Sequence, residues 1–242
     1  MGNLLNVYRR EIGSYFSSPI AYIIVCAFLI VIGLFFFLIF GFFQTANPDL
    51  RTYYTWCILP FWVLIPAITM RLWSEEKKAG TIEILMTLPF RSWEIVLGKY
   101  LAGFTVMVIT LVLTLFVPLS VSFVLELDWG VIFASYVGAL LISAMFVAIG
   151  SWASAMTENQ IVALLVSWVA LAFVVGMGLP PVMEVLDKLI PGMGEIAGWF
   201  GAYGHYESFT KGLINPVGVV YAMSLTVFFL ILNNFVVEWR KY

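Results

Sequence analysis

Six long stretches without a charged residue constrain this chain more than any other feature of its sequence. Each contains 19 to 37 residues between two charged ones. A helix needs about 20 residues to cross the hydrocarbon core of a bilayer, whereas barrel strands would alternate over about ten residues. The stretches therefore predict an all-α membrane protein with six transmembrane helices. The predicted spans are residues 20–43, 54–71, 97–122, 131–154, 161–179 and 217–237.

The composition excludes several classes of protein. Hydrophobic residues make up 62% of the chain and charged residues 11%, against about 45–50% and 25% in soluble domains. The net charge of −2 offers no basic field for nucleic acid. One histidine and two cysteines do not suffice for a metal site or a disulfide framework. We therefore expect a single membrane domain, 1–242, with no metal and no cofactor of its own.

An ATP-binding site on this chain is not expected. A P-loop needs Gly-x-x-x-x-Gly-Lys-Ser/Thr. The nearest segment, Gly98-Lys99-Tyr100, has Trp93 at the first glycine position and tyrosine at the hydroxyl position. The inside of the spans also shows no carboxylate that could relay protons or couple ions, and such groups usually mark ion pathways. The sequence therefore predicts a protein that is not an enzyme.

The basic residues predict the orientation. Six spans put both termini on one side, and nine of the twelve Lys and Arg residues fall on that side. Basic loops stay in the cytoplasm, so both termini are expected there, in a multi-pass protein of the cell membrane. The nine are Arg9, Arg10, Arg71, Lys77, Lys78, Arg91, Lys99, Arg240 and Lys241, and the other three are Arg51, Lys188 and Lys211.

A short amphipathic helix is predicted at 3–16, ahead of the first span. Its apolar residues recur every three or four positions, with Arg9, Arg10 and Glu11 largely between them. Such a helix would lie along the cytoplasmic membrane face. A simple stop that anchors the first span remains the alternative.

Small residues recur four apart along the fourth span, between 134 and 155. Such a stripe lets helix backbones approach closely. It favours a centrally packed helix over one with a role in transport.

The most informative loop is 74–92, between spans two and three. Gly80 can break the helix that leaves the membrane, Thr81 can cap a new one, and Pro89 ends it. Ile82, Leu85 and Leu88 share one side of the short helix between them. That side suits a groove on a partner protein, or it rests on lipid headgroups. Three acids, Glu75, Glu76 and Glu83, either are solvated or pair with basic residues on a partner or at Arg9 and Arg10.

Three motifs carry a resemblance to a known family. The pattern Glu75-Glu76-x-x-x-Gly80-Thr81-Ile82-Glu83-x-Leu85-x-x-x-Pro89 resembles the signature of type-2 ABC transporter permeases. Thr157-Glu158-Asn159-Gln160, in the second cytoplasmic loop, and the segment His205 to Ile214 are similar to two further family segments. The pattern is closest to the small permeases of the gliding-motility type, and next to those of nitrous-oxide-reductase maturation.

The resemblance implies the transmembrane subunit of a bacterial ABC exporter. The 74–92 segment would be its coupling helix, docked on an ATP-binding subunit. Two such subunits would hold ATP and Mg²⁺, and a second permease, identical or homologous, would complete the pathway. A membrane anchor that holds a partner without transport is the alternative. The cargo is not predicted beyond a slight preference for a lipid-like molecule.

The outer loop 180–216 is expected to form re-entrant or interfacial helices, as in the family. His205 and Glu207 within it are a proton-sensitive pair or, as we favour, His205 simply forms a local hydrogen bond. A gate is one interpretation of the aromatic residues that end span one and of the abrupt end of span five, and an interfacial belt is the other. The residues concerned are Phe36, Phe40, Gly176, Gly178, Pro180 and Pro181.

Overall fold

A computed structural model of the chain describes residues 2–34, 50–82 and 91–239. Within these ranges the chain is helical between its turns, and no strand occurs in them. The helices, in chain order, are α1 (Gly2–Ser17), α2 (Pro19–Leu34), α3 (Leu50–Trp56), α4 (Ile58–Thr69), α5 (Arg71–Lys78), α6 (Ser92–Thr114), α7 (Phe116–Ser122), α8 (Trp129–Met156), α9 (Gln160–Gly176), α10 (Pro180–Leu189), α11 (Met193–Phe200), α12 (Ala202–Thr210) and α13 (Pro216–Trp239).

The described helices provide four to six membrane spans. Two candidates are bent pairs: Asn3–Ser17 meets Ala21–Leu34 at 70°, and Gln160–Gly176 meets Pro180–Leu189 at 75°. Counting each bent pair as one span gives up to six. The predicted all-α membrane fold is confirmed. The four stretches that are long and apolar enough without a sharp bend are Tyr53–Lys78, Ser92–Ser122, Trp129–Met156 and Pro216–Trp239.

The helix ends differ from the predicted spans mainly where a charged segment is helical. The second span continues past 71 to Lys78, because Arg71 and Glu75 pair one turn apart. The third begins at Ser92, and its N-cap is Arg91. The Arg91 backbone N donates to the Glu94 carboxylate at 3.1 Å, which satisfies the helix start. Residues 35–43 of the first predicted span lie outside the described residues.

The helix α8 forms the centre of the bundle and packs against α4, α5, α6, α9, α12 and α13. Its small residues make this possible. A Cβ added at Gly150 would lie 2.1 Å from Thr69 Oγ1, and one added at Gly138 would lie 2.5 Å from the Cβ of Phe209. The backbones of α4 and α12 therefore approach α8 closely. The central packing predicted from the small-residue stripe is confirmed.

The helix predicted at 3–16 is present as α1, and it docks on the protein. Val7 is buried beside Gly98 of α6, where an added Cβ would lie 2.8 Å from Val7 Cγ1. The Tyr15 hydroxyl donates to the carbonyl oxygen of Ile68 in α4 at 2.9 Å. The helix is therefore more than a stop before the first span. Its apolar side meets α6 and α4.

The bundle has two distinguishable ends. At one, which we name the α1 end, the Lys77 ammonium in α5 donates to the carbonyl oxygen of Ala155, near the end of α8. At the other, the α12 end, the hydroxyls of Thr55 and Thr210 lie 3.2 Å apart. The N-terminal helix, α5 and the 157–160 turn thus gather at one end, as the charge pattern predicts.

The segment between α9 and α13 folds as the short helices α10, α11 and α12. The break predicted after the fifth span is confirmed, since α9 ends at Gly176 and α10 begins at Pro180. A Cβ added at Gly201 would lie 2.1 Å from the Cα of Gly178, so the two backbones touch where these turns meet. The backbone N of Gly194 donates to Asp187 Oδ1 at 2.8 Å and joins α11 to α10.

Candidate functional site

Four charged side chains form one cluster at the α1 end, between α1, α5 and α6. The Lys99 ammonium lies 3.0 Å from Glu11 Oε1 and 2.9 Å from Glu76 Oε2. It also donates to the carbonyl oxygen of Leu72 at 2.8 Å. The Arg10 guanidinium bridges the same two carboxylates, with Nη2 lying 2.8 Å from Glu11 Oε1 and also contacting Glu76 Oε1. We name these four charged residues the ionic cluster.

The ionic cluster is balanced in charge, and Lys99 and Glu11 are shielded from water, whereas the side chain of Arg10 is 53% exposed. The side chain of Lys99 is 1% exposed and that of Glu11 12%. The Lys99 ammonium donates hydrogen bonds to Glu11 Oε1 and to the Leu72 carbonyl oxygen, and it meets Glu76 Oε2 as an ion pair. Burial alone would raise the pKa of Glu11, but Lys99 and Arg10 outweigh it and hold that pKa below its usual value. The carboxylate therefore stays ionised, and the two positive charges meet two negative ones.

Trp73 links the ionic cluster to the centre of the bundle. Its side chain is fully buried, and its ring lies 5.2 Å from the Lys99 ammonium, a cation–π distance. Its indole Nε1 donates to Ser151 Oγ of α8 at 3.2 Å. The same oxygen accepts from Asn233 Nδ2 of α13 at 2.8 Å. One side chain of α5 thus contacts α6 and α8, and reaches α13 through a single hydroxyl.

A second ion pair holds α5 against the elbow between α1 and α2. The Arg71 guanidinium is bidentate to Glu75, at 2.8 and 2.9 Å, and donates to Ser18 Oγ at 3.2 Å. The two acids predicted to pair with a partner or with Arg9 and Arg10 therefore have partners within the chain. Glu76 pairs with Arg10, as one of the alternatives had it, and Glu75 pairs with Arg71. Arg9 is exposed.

A cavity of about 320 Å³ lies between α1, α2, α4 and α5. Apolar side chains such as Ile24 and Ala67 line one part of it, and the ionic cluster with the Arg71–Glu75 pair lines another. The charged groups on its wall are already paired with one another, so the cavity carries no charge of its own for a ligand. In the described ranges, no group of three or more His, Cys, Asp and Glu side chains is placed to hold a metal ion.

The segment after α5 turns sharply at Gly80. This residue has a φ of +67°, a left-handed conformation that favours glycine. The predicted break at this position is confirmed. The Thr81 hydroxyl donates to the carbonyl oxygen of Glu76 at 3.3 Å, at the end of α5, and Thr81 and Ile82 are helical again after the turn. The role of Thr81 as the cap of a new helix stays a prediction. Ile82 packs against the protein's own core. The other predicted coupling residues, Glu83, Leu85, Leu88 and Pro89, lie outside the described residues.

The second loop of the α1 end is a tight turn between α8 and α9. Asn159 caps α9, because its Oδ1 accepts from the backbone N of Ile161 at 2.9 Å. The backbone N of Asn159 donates in turn to Thr157 Oγ1 at 3.2 Å. Glu158 is exposed in this turn, and α9 begins at Gln160. The local structure thus accounts for Thr157 and Asn159, and contact with a partner stays a prediction.

The α12 end holds the remaining predicted residues. His205 Nε2 lies 3.1 Å from the carbonyl oxygen of Trp199, and its ring stacks on Tyr221 at 4.3 Å. Glu207 instead pairs with Lys211 at 2.8 Å. His205 therefore makes the local hydrogen bond that we favoured. Phe36 and Phe40, of the predicted gate, lie outside the described residues, while Gly176, Gly178, Pro180 and Pro181 form the turn described above.

Sequence reasoning missed the centre of the site. The basic-residue count uses Lys99 only as a marker of orientation, near the start of the predicted span 97–122, yet it lies seven residues into α6 and is fully buried. A charge two turns inside a span is costly unless paired, which is the signal that points to Glu11 and Glu76. The sequence gives no comparable indication for Trp73, Ser151 and Asn233. Their hydrogen bonds form only because α5, α8 and α13 meet in the fold.

The bundle of apolar spans defines a multi-pass membrane protein. A family model described as ABC-2 family transporter protein matches residues 5–236, and the chain belongs to this family. Its members are the transmembrane components of ABC transporters and are not themselves catalytic. The family predicted from the three motifs is confirmed, while the gliding-motility subtype stays a prediction. No match to a curated protein was found.

Proposed function

We propose that the protein is the membrane subunit of an ATP-driven exporter in the inner membrane of a bacterium. It works with two ATP-binding subunits, which hold ATP and Mg²⁺, and with a second permease, identical or homologous, that completes the pathway. The α1 end faces the cytoplasm, because nine of the twelve basic residues belong to that side. The segment that follows Gly80 contacts the ATP-binding subunit.

The observation that carries this proposal is the fixation of α5 by the ionic cluster. The segment after Gly80 continues from α5, and α5 is tied to α1 and α6 through Lys99 and Glu76. A force on that segment would therefore move α1 and α6 together with α5. Exposed ion pairs contribute only about 0–1 kcal/mol each, whereas breaking a buried pair leaves an uncompensated charge, so the ionic cluster opposes separation of α5 from α1 and α6.

The experiment is reconstitution with the ATP-binding subunit that co-purifies from native membranes. ATP hydrolysis is measured with and without this protein, and ATP-dependent movement of lipid-like candidates is measured in vesicles. Glu76→Gln should lower movement per ATP hydrolysed, because it removes one carboxylate from the ionic cluster. Glu207→Gln is the matched control, since it removes a carboxylate from an ion pair at the α12 end.

Two results would count against transport. If the rate of ATP hydrolysis is the same with and without this protein, and no candidate cargo moves in an ATP-dependent way, a non-transporting membrane anchor would be favoured. Equal effects of Glu76→Gln and Glu207→Gln would remove the ionic cluster from the proposal, because the control acts on the opposite end of the bundle.

A further inference from the structure

The second span is interrupted between α4 and α5. Residues Tyr53–Lys78 form one apolar span, yet α4 ends at Thr69 and α5 begins at Arg71. Pro66 lies inside α4 and has no backbone N–H to give. Met70 sits at the interruption, and its backbone N still donates to the carbonyl oxygen of Pro66 at 2.8 Å. After Met70, the backbone N atoms of Trp73 and Ser74 donate to a side chain of another helix.

A hydroxyl from α8 enters this interruption. Ser154 Oγ accepts from the backbone N of Trp73 at 3.1 Å and from the backbone N of Ser74 at 3.2 Å. It donates to the carbonyl oxygen of Met70 at 2.8 Å. A serine hydroxyl has one donor and two acceptor positions, so all three are used by the backbone of Met70, Trp73 and Ser74. A side chain inserted into the helical ladder is a known cause of helix breaks.

A neighbouring serine provides an internal comparison. Ser151 lies about one turn earlier on α8, and both serines are fully buried. Ser151 Oγ accepts from the indole of Trp73 and from Asn233 Nδ2, so its partners in these bonds are side chains. Ser154 therefore bonds to backbone atoms of the second span, whereas Ser151 bonds to the side chains of Trp73 and Asn233. The two hydroxyls share a helix and a neighbour but constrain α5 differently.

We propose that Ser154 is a positioning residue whose hydroxyl fixes the direction in which α5 continues from α4 within the second span. Its three hydrogen bonds reach Met70, which lies between α4 and α5, and Trp73 and Ser74 in the first turn of α5. Gly150, four residues earlier on α8, allows the backbone of α4 to come close enough for this, since a Cβ there would meet Thr69 Oγ1. The consequence for coupling rests on the proposed function, while the positioning itself does not.

The test compares Ser154→Ala with Ser151→Ala in the full-length protein. Spin labels on cysteines at Lys78 and Ile161, both exposed, report the distance from the end of α5 to the start of α9. The exposed Cys26 is replaced by serine to avoid a third label. The same variants are assayed in the reconstituted complex for ATP hydrolysis, for binding of the ATP-binding subunit and for cargo moved per ATP.

Ser154→Ala should shift or broaden the distance distribution, because Trp73 N loses its acceptor there. In the complex it should lower cargo moved per ATP at least fivefold, while the affinity for the ATP-binding subunit changes less than twofold. Ser151→Ala should leave the distance distribution at its wild-type position and width, and it should change cargo moved per ATP less than twofold. Ser154→Thr restores a hydroxyl and should recover the wild-type distance and coupling.

The proposal is wrong if Ser154→Ala keeps the wild-type distance distribution, or if Ser151→Ala disturbs it equally. A loss of subunit binding that explains the whole transport defect would also overturn it, since positioning predicts intact binding. A shifted distance in a complex whose wild type moves no cargo would count against the proposed function and support the positioning role.

Discussion

Replacing Lys99 by methionine is expected to destabilise the fold by about 3 kcal/mol, because it removes the only fully buried member of the ionic cluster. Methionine keeps an unbranched stem of similar size and removes the ammonium. Glu11 and Glu76 then share Arg10 alone, and the net charge of the four positions changes from zero to −1. The carbonyl oxygen of Leu72 also loses its donor.

The magnitude follows from burial. Removing one partner of a buried ion pair costs about 3–5 kcal/mol, because the other charge is left uncompensated. The lower end applies here, since Arg10 still reaches both carboxylates and the side chain of Glu76 is 19% exposed. The exposed pair between Glu207 and Lys211 sets the other limit, at about 0–1 kcal/mol.

The assay is equilibrium unfolding in detergent of four variants: Lys99→Met, Glu11→Gln, their combination, and the control Lys211→Met. The combination restores neutrality, with Arg10 facing Glu76. We therefore expect it to cost about 1–3 kcal/mol less than the sum of the single changes, as for residues in one network.

Two outcomes would refute this reasoning. Additive costs in the double variant would show that Lys99 and Glu11 do not interact in the folded protein. A Lys99→Met cost no larger than that of Lys211→Met would show that the ammonium is solvated rather than buried.

Three further predictions concern pH, topology and backbone conformation. Because Lys99 and Arg10 outweigh the effect of burial, the pKa of Glu11 lies below its usual value of 4.5, and its contribution is complete above pH 4.5. The stability gap between the wild type and Glu11→Gln should therefore close as pH falls through the folded pKa. A cysteine at the exposed Lys78 should react with membrane-impermeant reagents only after permeabilisation; reaction in intact cells would invert the topology. Gly80→Val should cost about 1–2 kcal/mol in unfolding assays and Gly80→Asn clearly less, because the φ of +67° opposes a side chain there while no atom of the described residues lies within 4 Å of an added Cβ.

Most of the fold could be predicted from where charges are missing. Burying a charge in lipid is costly, so the uncharged stretches predicted the four spans without a sharp bend to within about seven residues at either end. The largest error, at Lys78, arose because a charged segment can remain helical when its ions pair along the helix. The bends of 70° and 75° could not be read from the charge pattern, since Pro19 and Pro180 allow a break without setting its angle.

The site was predicted only in part, for a physical reason. Gly80 was predicted correctly because a left-handed residue has a strong local signature. Lys99 lies near the start of the predicted span 97–122, where a charge is normally solvated, and the docking of α1 buries it. Contacts such as Lys99 to Glu11 join residues 88 positions apart, and hydropathy carries no information on such pairs.

The two networks around α5 constrain it from different sides, and together they limit how it can move. The ionic cluster ties Glu76 to α1 and α6, and Ser154 ties the start of α5 to α8. Trp73 belongs to both, because its ring lies beside Lys99 while its backbone N and indole bind the serines of α8. Tilting α5 alone would break bonds on one side or the other. The motion that costs least is therefore one in which α1, α5, the start of α6 and the end of α8 shift as a unit. Gly80 is the first residue after α5 at which the backbone direction changes.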